Sequence, residues 1–152
     1  MGEGPNPAEL IGAAVQTERE ASLFYRMMAD MASDSGARDR LLALSEDESS
    51  HATTLANLYH EMTGRGVSET TPAPAEGEPS LFDFQSRSPR DVLEFALQNE
   101  LAAIDLYQAQ SEGAEDAKVA TIFRLLADTE REHAAYLRLQ LRRLQEDATQ
   151  DH

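Results

Sequence analysis

The stretch LLADTEREHAAYL, residues 125–137, holds a glutamate and a histidine inside an apolar helical pattern. Residues three or four positions apart share one face of an α-helix. The face that contains Glu130 and His133 also contains Leu126 and Leu137, so both polar side chains are directed into an apolar core. Burying a carboxylate is costly unless it is protonated, hydrogen-bonded or bound to a cation. The pattern therefore indicates a polar site inside a helical core.

The same arrangement occurs earlier in the chain, in the stretch LSEDESSHATTL at residues 44–55. Glu48 and His51 are three residues apart there and lie between leucines at helical spacing. The glutamate of each pair follows a further glutamate by 30 residues, which is Glu18 in the first half and Glu100 in the second. A solenoid needs three or more repeat units, and this pattern occurs only twice. The two copies therefore predict two similar helical hairpins.

Helix starts and breaks divide each half of the chain into two helices. Asn6 and Ser88 each precede a proline, as N-cap residues often do. The segment SDSG at residues 33–36 interrupts the first half. We therefore predict an all-α four-helix bundle, made of one hairpin at residues 7–63 and a second at residues 88–145, with a long crossover between them.

The positions of the glutamates about each turn place them at one level. Glu18 and Glu48 are equally distant from residue 33, which lies in the SDSG turn, and Glu100 and Glu130 are equally distant from residue 115. Residues that are equidistant from the turn of an antiparallel hairpin lie side by side. We therefore predict that each hairpin brings its glutamates together, and that the four helices share one site.

Residues 64–87, GRGVSETTPAPAEGEPSLFDFQSR, show little periodicity and are predicted to form the connection. At up to about 3.3 Å per residue they are long enough to span a helix of about 26 residues, roughly 39 Å, so the third helix is able to begin at the opposite end of the bundle. We expect Leu81, Phe82 and Phe84 to pack this connection against the bundle. A contact with a partner protein is the alternative for these three residues.

Composition limits the remaining function classes. A chain of 152 residues is typical of one domain, here residues 1–152 with a polar tail at 146–152. The net charge of −15 argues against nucleic acid and anionic membranes as partners, and it favours local enrichment of cations. The absence of cysteine excludes thiolate metal sites and iron–sulfur clusters. With no apolar leader pattern at the N-terminus, we expect a cytoplasmic protein.

The charges of the shared site indicate two metal ions. Four carboxylates carry −4 and neutral imidazoles carry no charge, so two divalent ions close the balance. Mixed carboxylate and imidazole ligation suits iron or manganese, and one glutamate from each of two helices plus Glu-x-x-His from each of the other two is a known dimetal arrangement. The predicted metal ligands are Glu18, Glu48, His51, Glu100, Glu130 and His133.

The first helix contains TEREASLFYRMMADMA, residues 17–32, and with the ligand pattern it resembles the rubrerythrin branch of the ferritin-like diiron superfamily. The resemblance covers roughly residues 7–145 apart from the crossover. It implies that the six residues bind iron, with Glu48 and Glu130 as bridging ligands. It also implies that Tyr25 and Tyr107 hydrogen-bond ligand glutamates of the opposite hairpin. Core packing with a satisfied hydroxyl is the alternative for these tyrosines, and both readings are compatible.

The sequence departs from the family pattern at three points. Rubrerythrins usually carry a rubredoxin domain with paired Cys-x-x-Cys motifs, and this cysteine-free sequence implies a separate electron donor protein. Ala103 stands where they usually carry an extra glutamate, so the site is also similar to the ferroxidase centre of bacterioferritin. Ser49 stands where bacterioferritin has its haem-binding methionine, so no haem is implied.

The expected function is that of a non-haem diiron oxidoreductase, a peroxidase or ferroxidase that reacts Fe(II) with hydrogen peroxide or dioxygen. A non-catalytic protein that binds or hands over iron is the first alternative, and a dimanganese catalase is a second. A structural bundle with a vestigial site is a third. The family resemblance also implies a homodimer, and the long crossover would permit exchange of hairpins between chains.

Overall fold

The computed structural model describes residues 6–67 and 87–150, with side chains described as far as residue 147. Its four helices are α1 (Pro7–Met31), α2 (Ser35–Thr63), α3 (Pro89–Gly113) and α4 (Ala117–Gln150). No strand occurs in these two ranges. Helix α1 pairs with α2 in one compact unit, and α3 pairs with α4 in another. The predicted fold class, an all-α chain of four helices in two hairpins, is confirmed.

The first hairpin begins and turns where the sequence places its polar caps. The side chain of Asn6 accepts a hydrogen bond from the Glu9 backbone N–H at 2.9 Å and so caps α1. Asp34 caps α2 by accepting from the Ala37 N–H at 2.8 Å, and α2 therefore begins at Ser35. These side-chain oxygens satisfy backbone donors that have no partner within the first turn of a helix.

Two serines hold α1 against α2 near the middle of the first hairpin. The Ser45 hydroxyl donates to the Ser22 carbonyl oxygen at 2.7 Å, and the Ser22 hydroxyl lies 2.9 Å from the Ser45 carbonyl oxygen. Side chains this small let the two backbones approach closely. The register of the hairpin is fixed at this point, one turn along the helices from Glu18 and Glu48.

The second hairpin is built on the same plan with different contacts. Ser88 caps α3 by accepting from the Asp91 N–H at 3.1 Å, as the Ser-Pro signal predicts. The Asp116 carboxylate accepts from the Lys118 N–H at 2.8 Å at the start of α4. In the hairpin core the rings of Tyr107 and Phe123 lie with their centroids 5.8 Å apart.

The structure extends the last helix beyond its predicted end. Helix α4 continues to Gln150, five residues past the predicted end at 145 and into the predicted polar tail. Residues 146–150 contain no glycine or proline, so nothing in the sequence stops the helix there. Most of the predicted crossover, with Leu81, Phe82 and Phe84, lies outside the described residues. No described helix has the length and hydropathy that crossing a membrane requires.

Gly64 offers a direct test of how the first hairpin ends. It has φ of 73° and donates its N–H to the His60 carbonyl oxygen at 2.8 Å, a left-handed C-cap. We expect Gly64→Ala to lower the free energy of unfolding by about 1 kcal/mol, because a Cβ disfavours this backbone conformation. Urea denaturation followed by circular dichroism measures the change.

Gly113 is the matched control, because it ends α3 without a left-handed backbone and has open space around an added Cβ. We expect Gly113→Ala to leave the stability unchanged or to raise it slightly. Equal losses in the two variants would contradict the role assigned to Gly64.

Candidate metal centre

The first hairpin brings three of the predicted ligands together. Glu18 projects from α1, and Glu48 and His51 project from α2 on one helical face. The two glutamates are each 1% exposed and the histidine is 7% exposed. The three residues offer ligand atoms that lie within 4.8 Å of one another. His51 Nδ1 lies 3.5 Å from a Glu18 carboxylate oxygen.

The second hairpin repeats this trio. Glu100 projects from α3, Glu130 and His133 project from α4, and all three are at most 2% exposed. Their ligand atoms also lie within 4.8 Å of one another. His133 Nδ1 lies 3.6 Å from a Glu100 oxygen and 3.5 Å from a Glu130 oxygen. Each hairpin therefore carries its own buried Glu-Glu-His cluster.

The spacing of these atoms fits a metal ion better than it fits direct hydrogen bonds. Hydrogen bonds between a ring nitrogen and a carboxylate oxygen are usually shorter than about 3.2 Å. Two atoms bound to one ion at about 2.1 Å each lie between roughly 3.0 and 4.2 Å apart. The three measured separations, 3.5 to 3.6 Å, fall in this second range.

The six side chains also leave polar atoms directed into the core. One buried oxygen or nitrogen of each makes no hydrogen bond with a described residue, although every one of these side chains has other interactions. The atoms are Glu18 Oε2, Glu48 Oε1, His51 Nδ1, Glu100 Oε2, Glu130 Oε1 and His133 Nδ1. Oxygen and imidazole nitrogen are donors that first-row divalent metals accept, so the donor set fits a metal site.

The surroundings of each trio are apolar, so the charge of its carboxylates has to be balanced within the core. Leu44 and Leu55 flank the first trio along α2, and Leu126 and Leu137 flank the second along α4; all four are buried. Two ionised carboxylates in such a core are costly without a compensating charge. One divalent ion per trio would neutralise them, with the imidazole uncharged.

The predicted tyrosines are buried, each seven residues after the first glutamate of its hairpin. Tyr25 is packed edge-on against Phe24, with centroids 6.0 Å apart, and Tyr107 packs against Phe123. Core packing of both rings is thus confirmed. Their hydrogen bonds to glutamates of the opposite hairpin stay a prediction.

The sequence reasoning missed the serine pair that supports the first trio. Ser22 and Ser45 each lie about one turn from a ligand glutamate. The corresponding positions of the second hairpin, 82 residues on, are Ile104 and Ala127, so the repeat is broken here. That difference between the halves was a usable signal, because two small polar residues replace apolar ones at matched core positions.

Replacing a ligand glutamate should separate metal binding from folding. We expect Glu48→Gln to make the metal-free protein more stable by about 1 kcal/mol or more, because a buried carboxylate is replaced by a neutral group of the same shape. The same change should remove much of the stabilisation that added Mn²⁺ gives the unchanged protein. Urea unfolding with and without Mn²⁺ measures both effects.

Glu46→Gln is the matched control, because Glu46 lies on α2 with an exposed side chain. It should alter neither quantity. A Glu48→Gln protein that loses stability without metal and keeps the full Mn²⁺ effect would contradict the assignment of Glu48 as a ligand.

Two comparisons find known proteins that are similar to this chain. Residues 91–151 match the family model for rubrerythrin. The whole chain is similar to a solved structure of a hypothetical protein from Pyrococcus furiosus, with 26% sequence identity and a TM-score of 0.75 over 91% of this chain and 90% of that one. The search of curated proteins finds no match. The resemblance to rubrerythrin predicted from the sequence is therefore confirmed for residues 91–151, which include the second Glu-Glu-His trio.

Proposed function

We propose that the two trios act together to bind two iron ions, and that the chain is a non-haem diiron oxidoreductase. The observation that carries the proposal is the repetition of the same buried Glu-Glu-His trio in both hairpins. A polar contact with a purely structural role does not explain why the same residue types recur at the same 30-residue interval. Two ions are proposed because each trio balances the charge of one divalent ion.

The ligand chemistry supports iron as the metal. Carboxylate oxygen and imidazole nitrogen, with no thiolate in a chain that lacks cysteine, suit iron or manganese. The match of residues 91–151 to rubrerythrin favours iron. Bound ferrous iron would supply one electron per ion, so that two ions reduce one hydrogen peroxide to two water molecules with the uptake of two protons.

The protein side chains would hold the metal ions in a core whose other walls are apolar. The four glutamates would supply the ionised oxygens that hold the metal ions. The flanking leucines, among them Leu55 and Leu137 at 0% exposure, limit water around the ligands. The histidines would bind through Nδ1, the ring atom that lies nearest to the glutamate oxygens.

Tyr25 and Tyr107 are proposed to position the ligands. A buried tyrosine hydroxyl needs a hydrogen-bond partner, and a ligand carboxylate is one that the family resemblance suggests. Such a bond would hold one carboxylate oxygen and leave the other for the metal. Each ring packs against a phenylalanine, Tyr25 against Phe24 and Tyr107 against Phe123, which restricts its movement.

The remaining parts of the proposal concern partners. Electrons for repeated turnover would come from a separate donor protein, and the oxidant would be peroxide or dioxygen. We propose a cytoplasmic homodimer, with exchange of hairpins between chains as one way to form it. Neither nucleic acid nor a membrane surface is proposed as a partner, because the net charge of −15 repels both.

Two other functions use the same trios. A non-catalytic iron-binding or iron-handling protein is favoured by the strongly negative charge, which concentrates cations near the chain. A dimanganese catalase has the same kinds of ligand and differs in the metal. Both are separated from the leading proposal by what happens to the loaded metal when oxidant is added.

Oxidation of the ferrous protein tests the proposal. We expect anaerobically Fe(II)-loaded protein to be oxidised faster than free Fe(II) in the same buffer, as followed by stopped-flow absorbance. Faster reaction with peroxide than with dioxygen would identify a peroxidase, and the reverse order would identify a ferroxidase. Ferrous iron that is inert to both would contradict the enzyme proposal and favour iron handling. Peroxide dismutation by Mn-loaded protein alone would favour the catalase.

The tyrosines are tested in the same assay. We expect Tyr25→Phe and Tyr107→Phe to lower the oxidation rate roughly tenfold while both variants keep their metal, as is typical when a partner of a ligand is removed. Tyr59→Phe is the control, because Tyr59 lies at the far end of α2 beside Gly12 and far along the helix from Glu48. Unchanged rates in the first two variants would restrict them to core packing.

A further inference from the structure

A basic pocket lies in the second hairpin, away from the Glu-Glu-His trio. Its volume is about 350 Å³, and it is formed where the first turns of α3 face the last third of α4. Its lining is Arg90, Glu94, Arg138, Leu141, Arg142 and Gln145. Acidic residues outnumber basic ones 28 to 13 in the whole chain, and here three guanidinium groups surround one carboxylate. The local charge is therefore opposite to that of the protein.

Two of the arginines, Arg138 and Arg142, are exposed and form no ion pair within the described part of the chain. Arg138 and Arg142 lie four residues apart on α4, where like charges face each other and repel. Neither forms an ion pair or hydrogen bond with any described residue. Arg90 is different, because its Nε donates to a Glu94 carboxylate oxygen at 3.0 Å. The pocket thus brings two exposed guanidinium groups, which have no ion pair with a described residue, close to a third that pairs with Glu94.

The start of α3 adds to the positive potential. Arg90 lies in the first turn of α3, where the helix dipole places partial positive charge. Guanidinium groups bind phosphate and carboxylate through paired N–H donors in a fixed plane. Leu141 and Gln145 supply an apolar wall and an amide beside them. These are the components of a site for a small oxyanion.

We propose that this pocket binds a small oxyanion carrying two or more negative charges, of the phosphate or polycarboxylate type. A small anion is favoured over an acidic protein or nucleic acid for two reasons. The site is a concave pocket of limited volume, and the repulsion from a chain of net charge −15 grows with the charge of an approaching partner. The proposal does not depend on the metal centre.

Titration calorimetry with inorganic pyrophosphate and with citrate, at matched ionic strength, tests the proposal on the full chain. We expect Arg142→Ala to weaken binding about tenfold, since a charge-assisted bidentate contact is lost. Arg143→Ala is the control: Arg143 is the next residue on α4, is exposed, and does not line the pocket. It removes the same charge and should leave the affinity almost unchanged.

Glu94→Gln gives a change of opposite sign. Because it removes the negative charge that holds Arg90, it should strengthen pyrophosphate binding. The relative affinities for pyrophosphate and citrate decide whether the natural ligand is a phosphate or a carboxylate. Equal losses in Arg142→Ala and Arg143→Ala would overturn the proposal, as would binding of neither anion to the unchanged protein. Binding of polyglutamate alone would overturn it in favour of an acidic protein partner.

Discussion

The burial of two carboxylates and one imidazole in each hairpin is the constraint on which the rest of the structure depends. Ionised glutamates at 1 to 2% exposure are not tolerated in a leucine-lined core without a compensating charge. A bound cation would supply that charge, and its binding energy would then become part of the folding energy. The buried negative charge that makes the metal-free core unfavourable thus favours the binding of a cation.

Much of this arrangement could be predicted because helical spacing states which residues share a face. The three-residue interval of Glu130 and His133, its repetition in the first half and the 30-residue interval to Glu18 and Glu100 together predicted both trios. The caps at Asn6 and Ser88 were equally predictable, since proline is common at the first position of a helix, directly after a polar N-cap residue. The end of α4 was misplaced, because residues 146–150 are mostly polar and contain no helix breaker.

Other features depend on packing that no single spacing reveals. The reciprocal hydrogen bonds of Ser22 and Ser45 arise only when two helices approach, and isolated serines in a sequence look like surface residues. The basic pocket is similar: Arg138 and Arg142 read as a solvated helix face until α3 brings Arg90 opposite them. The serine pair occurs only in the first hairpin and the basic pocket lies in the second. The sequence repeat therefore predicts the candidate metal ligands, but it does not predict the residues that pack around them.

The number of metal ions bound per chain tests the central claim most directly. Anaerobic titration with Fe(II), followed by elemental analysis after removal of unbound metal, measures it. Two trios that each balance one divalent ion predict two ions per chain, and Glu48→Gln predicts fewer than two. A chain that binds no iron, or that keeps two ions after the ligand is replaced, would contradict the account.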